Sequence, residues 1–536
     1  MTLSETAARV MTLAQTGRAD EALSLGKTAL RTAEESGPEE RAALWYAVAV
    51  AQHVLGDRHA QVEATNHCLE LAREAGGSGW MSNALSLRAM ALVRANTVEP
   101  ALLDLAQAEV ELAACTDEGL RGWAHTGLGY TYLELRLYEL AEPHFEAALA
   151  IEASPLPLLE ERAIDLMNLG ELHLRWADEL ERATPYDGSE DEAEMRRGEG
   201  HAYAVAAFAE AERVGVTAIA QACRAMEMCS RPRGRAETSL PDLRAAWDSP
   251  HYMDYHGGRA TVGGALARAL WRRGNRDQAL EVVRAAAEDS VTAGDWQVSA
   301  SVQWLLVEME TVAGVPGATA GQAYGRLLSG VLWQQRLSTL QGATAALDVE
   351  RLRHDKLAAQ RSAQEDPLTG VGNRRALQAA LGEIELRAVQ DAQPTSLLIV
   401  DLDRFKEVND NHGHVVGDDV LRAVADAMRS VARSDDLVAR LGGDEFVLLA
   451  HGSDSETGVR LADRVREAIG DIALEVPGHI VRIAASVGVC TTDLDTSRAD
   501  LLERADQAMY ADKRRSHLQP HVGSDPEPGQ VPDAGD

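Results

Sequence analysis

The sequence predicts a multidomain chain. An all-α solenoid of helical repeats over residues 1–315 is followed by a helical linker over 316–362, then by a smaller domain built on a buried strand and a β-hairpin. Three observations predict this. Residues 1–315 are rich in Ala and Leu, almost without strand-like alternation, and repeat small turn residues at intervals of about 40. Residues 320–362 contain no proline and read as one long helix. Further on, the apolar run Ser396-Leu397-Leu398-Ile399-Val400 ends in Asp401-Leu402-Asp403, and two glycines and two acids interrupt a second apolar stretch at 442–445.

In the first region Leu44, Ala47, Ala51 and Val54 share a helical face. Gly17-Arg18, Gly56-Asp57 and Asn96-Thr97 each separate two amphipathic runs. Leu128-Gly129, Tyr132, Ala141, Phe145 and Ala148 fall at the offsets of a tetratricopeptide (TPR) repeat, and Leu169-Gly170 and Gly274 to Ala279 continue the theme. The region therefore resembles a degenerate TPR array. Small residues let paired helices approach, and large ones fill the space between them. Such a solenoid offers a concave groove to a protein or peptide partner, or its helices stack only on one another. Acidic Glu190-Asp191-Glu192, in a stretch bounded by Pro and Gly, reads as an exposed inter-helix loop.

In the linker, Leu340, Ala343 and Leu347 keep coiled-coil spacing, and Leu352 and Leu357 extend the stripe less regularly. A dimer helix that transmits a rearrangement and a helix packed on the last repeat fit this pattern equally.

Gly442-Gly443-Asp444-Glu445-Phe446, between Val438–Leu441 and Val447–Leu449, reads as the tip of a tight hairpin. Glycine allows φ > 0 there and leaves the backbone open to a bulky ligand. A buried strand ending in Asp401 beside this tip brings Asp401, Asp444 and Glu445 together. Hard oxygen donors of that kind suit Mg²⁺, which takes one or two carboxylates and completes its shell with phosphate and water.

The order and spacing of Asp366 to Arg375, Asp401 to Asn409, Gly413-His414, Gly417-Asp418 and Arg440 to Phe446 resemble the GGDEF family of diguanylate cyclases, over residues 363–518. The resemblance implies an α+β domain, ferredoxin-like and of the nucleotidyl-cyclase or polymerase-palm type. It implies condensation of two GTP into cyclic di-GMP by two half-sites that meet in a homodimer. Carried over by position, Asp401, Asp444 and the Leu402 carbonyl would bind Mg²⁺ or Mn²⁺, and Glu445 would activate the ribose 3′-hydroxyl beside Gly442 and Gly443. Asn409 and Asp418 would read the guanine edge, and Lys406 and Lys513 would face phosphate. Phe405 and His414 would pack or position. An Asp carboxylate accepts from guanine N1–H and N2–H₂, which adenine does not present together.

Arg433-Ser434-Asp435-Asp436 resembles the family's product-binding inhibitory site, where cyclic di-GMP would bind through Arg433 and Asp436. Arg464 or Arg466 could add a guanidinium, and spacing does not choose between them. One departure stands out. Tyr510-Ala511-Asp512-Lys513 fits the family's ending, but His517 takes the place of a phosphate-contacting arginine, for which Arg514 or Arg515 would substitute.

Composition narrows the remaining classes. A formal net charge of −32 argues against a nucleic-acid or anionic-membrane surface. No apolar run reaches the length of a membrane span, and no signal-peptide pattern opens the chain. Five cysteines without a C-x-x-C pair suggest a reducing, cytoplasmic setting. No Walker loop occurs. Residues 519–536, rich in Pro, Gly and Asp, read as a disordered tail. The expected function is a diguanylate cyclase governed by its helical array. The alternative is a catalytically silent receptor for cyclic di-GMP or GTP that serves as a scaffold.

Overall fold

The structure, a computed structural model, describes residues 2–33, 36–151, 161–230, 240–249, 258–292, 295–387, 394–476, 479–492 and 498–516. His517 and the tail expected over 519–536 lie outside the described residues. The chain forms two compact units, Met1–His354 and Asp355–Asp536.

Every described element of the first unit is a helix. Helices pack as neighbouring antiparallel pairs, among them Pro38–Leu55 with Arg58–Ala75, Ser78–Arg94 with Val98–Ala114, and Glu118–Glu134 with Tyr138–Ala150. The turns explain the repeat seen in the sequence. Gly17, Gly56 and Asn96 have φ of 80°, 75° and 60°, left-handed positions that Gly and Asn adopt most readily. Arg136, at φ 62°, occupies the equivalent place one interval later. Caps finish the joints: Asp117 accepts from the Leu120 N–H at 2.8 Å and starts the next helix.

The TPR-like positions are buried as expected. Leu128, Tyr132, Ala141, Phe145 and Ala148 are all at most 2% exposed. A Cβ on Gly129 would lie 2.8 Å from the Phe145 ring, so only glycine admits that ring. Leu44, Ala47 and Ala51 are likewise buried, whereas Val54, at 49% exposed, leaves the core face near the helix end. Glu190, Asp191 and Glu192 are not in a loop. They form the first turn of the helix Ser189–Val214, where acids complement the positive end of the helix dipole.

The linker helix runs Ala318–Gln364. Ala343 and Leu347 are buried, and Leu340 packs against the repeat core, so the residues with coiled-coil spacing face the chain's own repeats. The contact is not confined to the last repeat. Gly325 approaches Trp304 there, but Gly342 lies against Leu102 and Arg336 bonds to Glu139 at 2.6 Å.

In the second unit the strands are β1 (Gly372–Asn373), β2 (Thr395–Leu402), β3 (Leu437–Gly442), β4 (Glu445–His451), β5 (Ala473–Val476), β6 (His479–Arg482) and β7 (Ala485–Thr491). The main sheet has the order β1-β3-β4-β2-β7, with β2 antiparallel to both neighbours; β5 and β6 form a separate ribbon. With the helices between β2 and β3 and between β4 and β7, this is the β-α-β-β-α-β order of a ferredoxin-like domain. Strand β2 is buried along its whole length because both faces are covered. Leu398, Val400 and Leu402 join the core under His414–Val431 and Ser455–Gly470, while Leu397 and Ile399 join the core under Arg498–Ser516. A Cβ on Gly488 in β7 would lie 2.1 Å from the Met509 nitrogen, so the helix Arg498–Ser516 rests directly on strand backbone.

Candidate active site

Three local features bring the acids together. Asp401, the seventh residue of β2, lies in register opposite Glu445, the first residue of β4. The Leu402 N–H donates to the Asp444 carbonyl at 3.3 Å. Gly442 and Gly443 turn the chain between β3 and β4 with φ of 145° and 58°, values that a side chain would strain. Asp401, Leu402, Asp444 and Glu445 therefore meet at one edge of the sheet.

Arg440 braces this turn. Its Nε and Nη2 donate to the Gly443 carbonyl at 3.0 and 2.8 Å, and its Nη1 pairs with Asp366 at 3.3 Å. Burial works against the charge of Asp366. Hydrogen bonds from Thr369 and the charge of Arg440 outweigh it and hold the carboxyl below its usual range.

Burial first, then the charges of Asp401, Asp444 and Asp506, hold the Glu445 carboxyl above the usual range, with Arg374 opposing them. On Lys513 the balance is reversed in sign. Burial disfavours its charge, but the hydrogen bond to Asp401 Oδ1 and the charges of Asp401, Asp444 and Asp403 raise its pKa above the ordinary value. Asp403 is turned to β7, accepting from Ser486 Oγ at 2.8 Å.

This donor set fits a divalent cation. Two carboxylates and the main chain of Leu402 come together at one edge, where Lys513 is hydrogen-bonded to Asp401. Among the described residues no three His, Cys, Asp or Glu side chains form a metal cage. Two carboxylates of this kind suit a hard divalent cation that completes its shell with other oxygen donors.

Beyond β2 the helix Phe405–His412 begins at Arg404, whose φ is 57°. Phe405 packs on the core and Lys406 is exposed. Asn409 meets the next helix, His414–Val431, at Gly417: a Cβ there would lie 1.9 Å from Asn409 Oδ1. Asp418, the other residue expected from sequence to read guanine, follows Gly417 in that helix. Arg433 and Asp436 close a turn before β3, the Arg433 N–H donating to Asp436 Oδ2 at 2.9 Å. Of the two arginines left open by spacing, Arg464 donates to the Val431 carbonyl at 3.0 Å, at the end of the helix that leads into this turn. Arg466 is committed elsewhere, to Asp463 and Asp512.

Sequence reasoning missed Arg374 and Asp506 as neighbours of Glu445. A signal existed for Asp506, which precedes Lys513 by two helical turns on the same face.

The fold defines a ferredoxin-like class of domain, and comparisons with known proteins name its family. Residues 363–518 match the family "Diguanylate cyclase, GGDEF domain", and residues 124–155 match a tetratricopeptide repeat. The second unit of this chain is a GGDEF domain, preceded by a TPR-like helical region. Diguanylate cyclase DgcP of Pseudomonas aeruginosa is 38% identical over 162 residues, 30% of this chain and 24% of that protein. Diguanylate cyclase DgcM of Escherichia coli K12 is 37% identical over 152 residues, 28% of this chain and 36% of that protein. Among solved structures, the coiled coil and GGDEF domain of DgcB from Caulobacter crescentus, in complex with c-di-GMP, shares 30% identity over 33% of this chain and 93% of that chain, with a TM-score of 0.31. The chain spans 24% and 36% of the length of the two curated relatives named. No helix among the described residues is long and apolar enough to cross a membrane.

Proposed function

We propose that this chain is a diguanylate cyclase that joins two GTP into cyclic di-GMP and releases two pyrophosphates. The observation that carries this reading is the meeting of Asp401, Asp444 and Glu445 at two adjacent strand ends. In each bond-forming step the 3′-oxygen of one GTP attacks the α-phosphorus of the other. Pyrophosphate leaves, and the hydroxyl proton passes to a base. Glu445, whose carboxyl holds a proton more readily than usual, would receive it.

Asp401, Asp444 and the Leu402 carbonyl would hold Mg²⁺ or Mn²⁺, an ion that neutralises phosphate charge and acidifies the attacking hydroxyl. Lys513 and Lys406 add positive charge for the phosphates. Asn409 and Asp418 orient guanine, and a site that pairs buried polar groups rejects a purine lacking the matching donors. Holding two nucleotides in line replaces a bimolecular encounter, a term of about 7–11 kcal/mol in well-oriented systems. One domain carries one such set of residues, so two copies are needed. Product feedback through Arg433 and Asp436, and control by a protein or peptide partner of the TPR-like region in the cytoplasm, complete the proposal.

The test is incubation of the full chain with GTP and Mg²⁺, with cyclic di-GMP quantified by chromatography. Turnover in the wild type and its loss in Asp444→Ala is the expected result. Binding of GTP or cyclic di-GMP without turnover would instead establish the silent-receptor reading.

A further inference from the structure

The helical unit holds a cavity of about 1000 Å³, bordered by residues from Met11 to Leu305. Sites for small ligands have volumes of about 300–1000 Å³, mostly apolar walls and a few convergent polar groups. Here Tyr46, Met90 and Trp123 border one part of the space, and Val298, Val302 and Leu305 another. The helix Glu161–Ala183 adds Asp165, Asn168, Glu171, Arg175, Asp178 and Arg182, which recur every three or four residues and form a polar stripe on the cavity. A helix face packed only against other helices would carry apolar residues at those positions.

Three polar groups on the wall have no hydrogen-bond partner among the described residues. Asn168 is 4% exposed, yet its amide is unbonded. The Tyr130 hydroxyl is likewise unbonded, and burial raises its pKa. The third group is the guanidinium of Arg268, on the helix Gly258–Arg272. Other arginines on the wall are committed: Arg175 to Asp295 at 2.8 Å, Arg197 to Asp178 and Glu181 at 2.9 Å each, and Arg182 to Ser301. Burial lowers the pKa of Arg268 against the pull of Asp178, Glu181 and Glu308, and Arg197 adds to the fall. A buried donor without an acceptor is costly, and a guanidinium is shaped to take a carboxylate through two parallel hydrogen bonds. An apolar wall adjoins it. A Cβ on Gly264, one turn before Arg268, would lie 3.7 Å from Leu305 and 3.8 Å from Val302. Asn168 precedes Asp178, whose charge acts on Arg268, by about 15 Å along the helix.

We infer that this cavity binds a small organic acid, with its carboxylate on Arg268 and its apolar body along Val302 and Leu305. Tyr130 and Asn168 offer hydrogen bonds to further oxygen atoms of the same ligand.

The experiment uses the full chain without nucleotide, so its outcome is separate from the cyclase reading. The probes are β-hydroxydecanoate and β-phenyllactate, each compared with its methyl ester by titration calorimetry. At least one acid is expected to bind the wild type, and its ester roughly tenfold more weakly, as loss of a charged hydrogen bond implies. Arg268→Gln should weaken binding of the acid by a similar factor. Failure of both acids to bind, equal affinity for acid and ester, or undiminished affinity in Arg268→Gln would each overturn the site. Should Arg268→Gln not fold, the comparison of acid with ester on the wild type decides the matter by itself.

Discussion

Arg336 of the linker helix donates from Nε to the main-chain carbonyl of Arg136 at 2.6 Å, and Arg136 returns a bond from Nη2 to the Leu332 carbonyl at 2.6 Å. The exchange joins the linker helix to the left-handed turn of the fourth repeat interval. Around it, Arg336 lies over the Trp333 ring at 4.4 Å and over Tyr138 at 5.1 Å, while Arg136 pairs with Glu179 at 3.0 Å. Arg336 is fully buried, and its carboxylate partner Glu139 is partly exposed.

Replacing Arg336 by Ala should therefore strip a buried carbonyl of its donor while leaving Glu139 able to find water. The expected cost is about 2–3 kcal/mol in the helical unit, read as a lower first transition in calorimetry. Arg336→Lys should recover little of it, because a single ammonium cannot serve both the carbonyl and Glu139 in the same fork geometry.

For Glu445 the sign follows from its upward shift. A carboxyl that protonates more easily in the folded state lends stability below its ordinary value of 4.5, and this is lost as pH rises through the folded value. Metal-free Glu445→Gln should thus melt higher than wild type at neutral pH, with the gain vanishing as the buffer approaches pH 4. Thermal scans across pH give the answer, and the same variant should lose turnover.

Gly417→Ala tests the proposed guanine recognition without substituting Asn409 or Asp418. The added methyl would occupy the place of Asn409 Oδ1 and push that amide aside. We expect KM for GTP to rise roughly tenfold, equivalent to about 1.4 kcal/mol. Selectivity against ATP should fall in parallel, in steady-state assays of both nucleotides.

Feedback should separate Arg464 from Arg466. Arg464→Ala, next to the Arg433 turn, is expected to raise the concentration of cyclic di-GMP needed for inhibition. Arg466→Ala should leave it unchanged, since that side chain is tied to Asp463 and Asp512. Product-inhibition curves of the two variants decide the matter.

What the sequence disclosed follows from which signals are local. The hairpin tip at 442–445, the buried strand ending at Asp401 and the turns at Gly17, Gly56 and Asn96 all announce themselves through residue types suited to one backbone geometry. The turn at Arg136 was hidden, because arginine is not chosen for a positive φ and is held there by its tertiary bonds. Period alone told that Leu340, Ala343 and Leu347 line one face, yet not that the face meets the chain's own repeats. The acids at 190–192 looked like a solvated loop because a helix start and a polar loop share composition. At the site, spacing along a strand and a hairpin foresaw the meeting of Asp401 with Asp444 and Glu445. Whether Arg464 or Arg466 approaches Arg433 depends on how a helix rolls on the sheet, which no spacing encodes.

Gly488 sets a further constraint. With main chain seated on main chain beneath Met509, the distance between β7 and the terminal helix is a fixed gauge that side-chain repacking cannot adjust. The ammonium of Lys513, carried on that helix, is thereby indexed to the sheet like a peg in a drilled hole. Any methyl group at position 488 would lift the peg and move positive charge away from the carboxylates before a single ligand was altered.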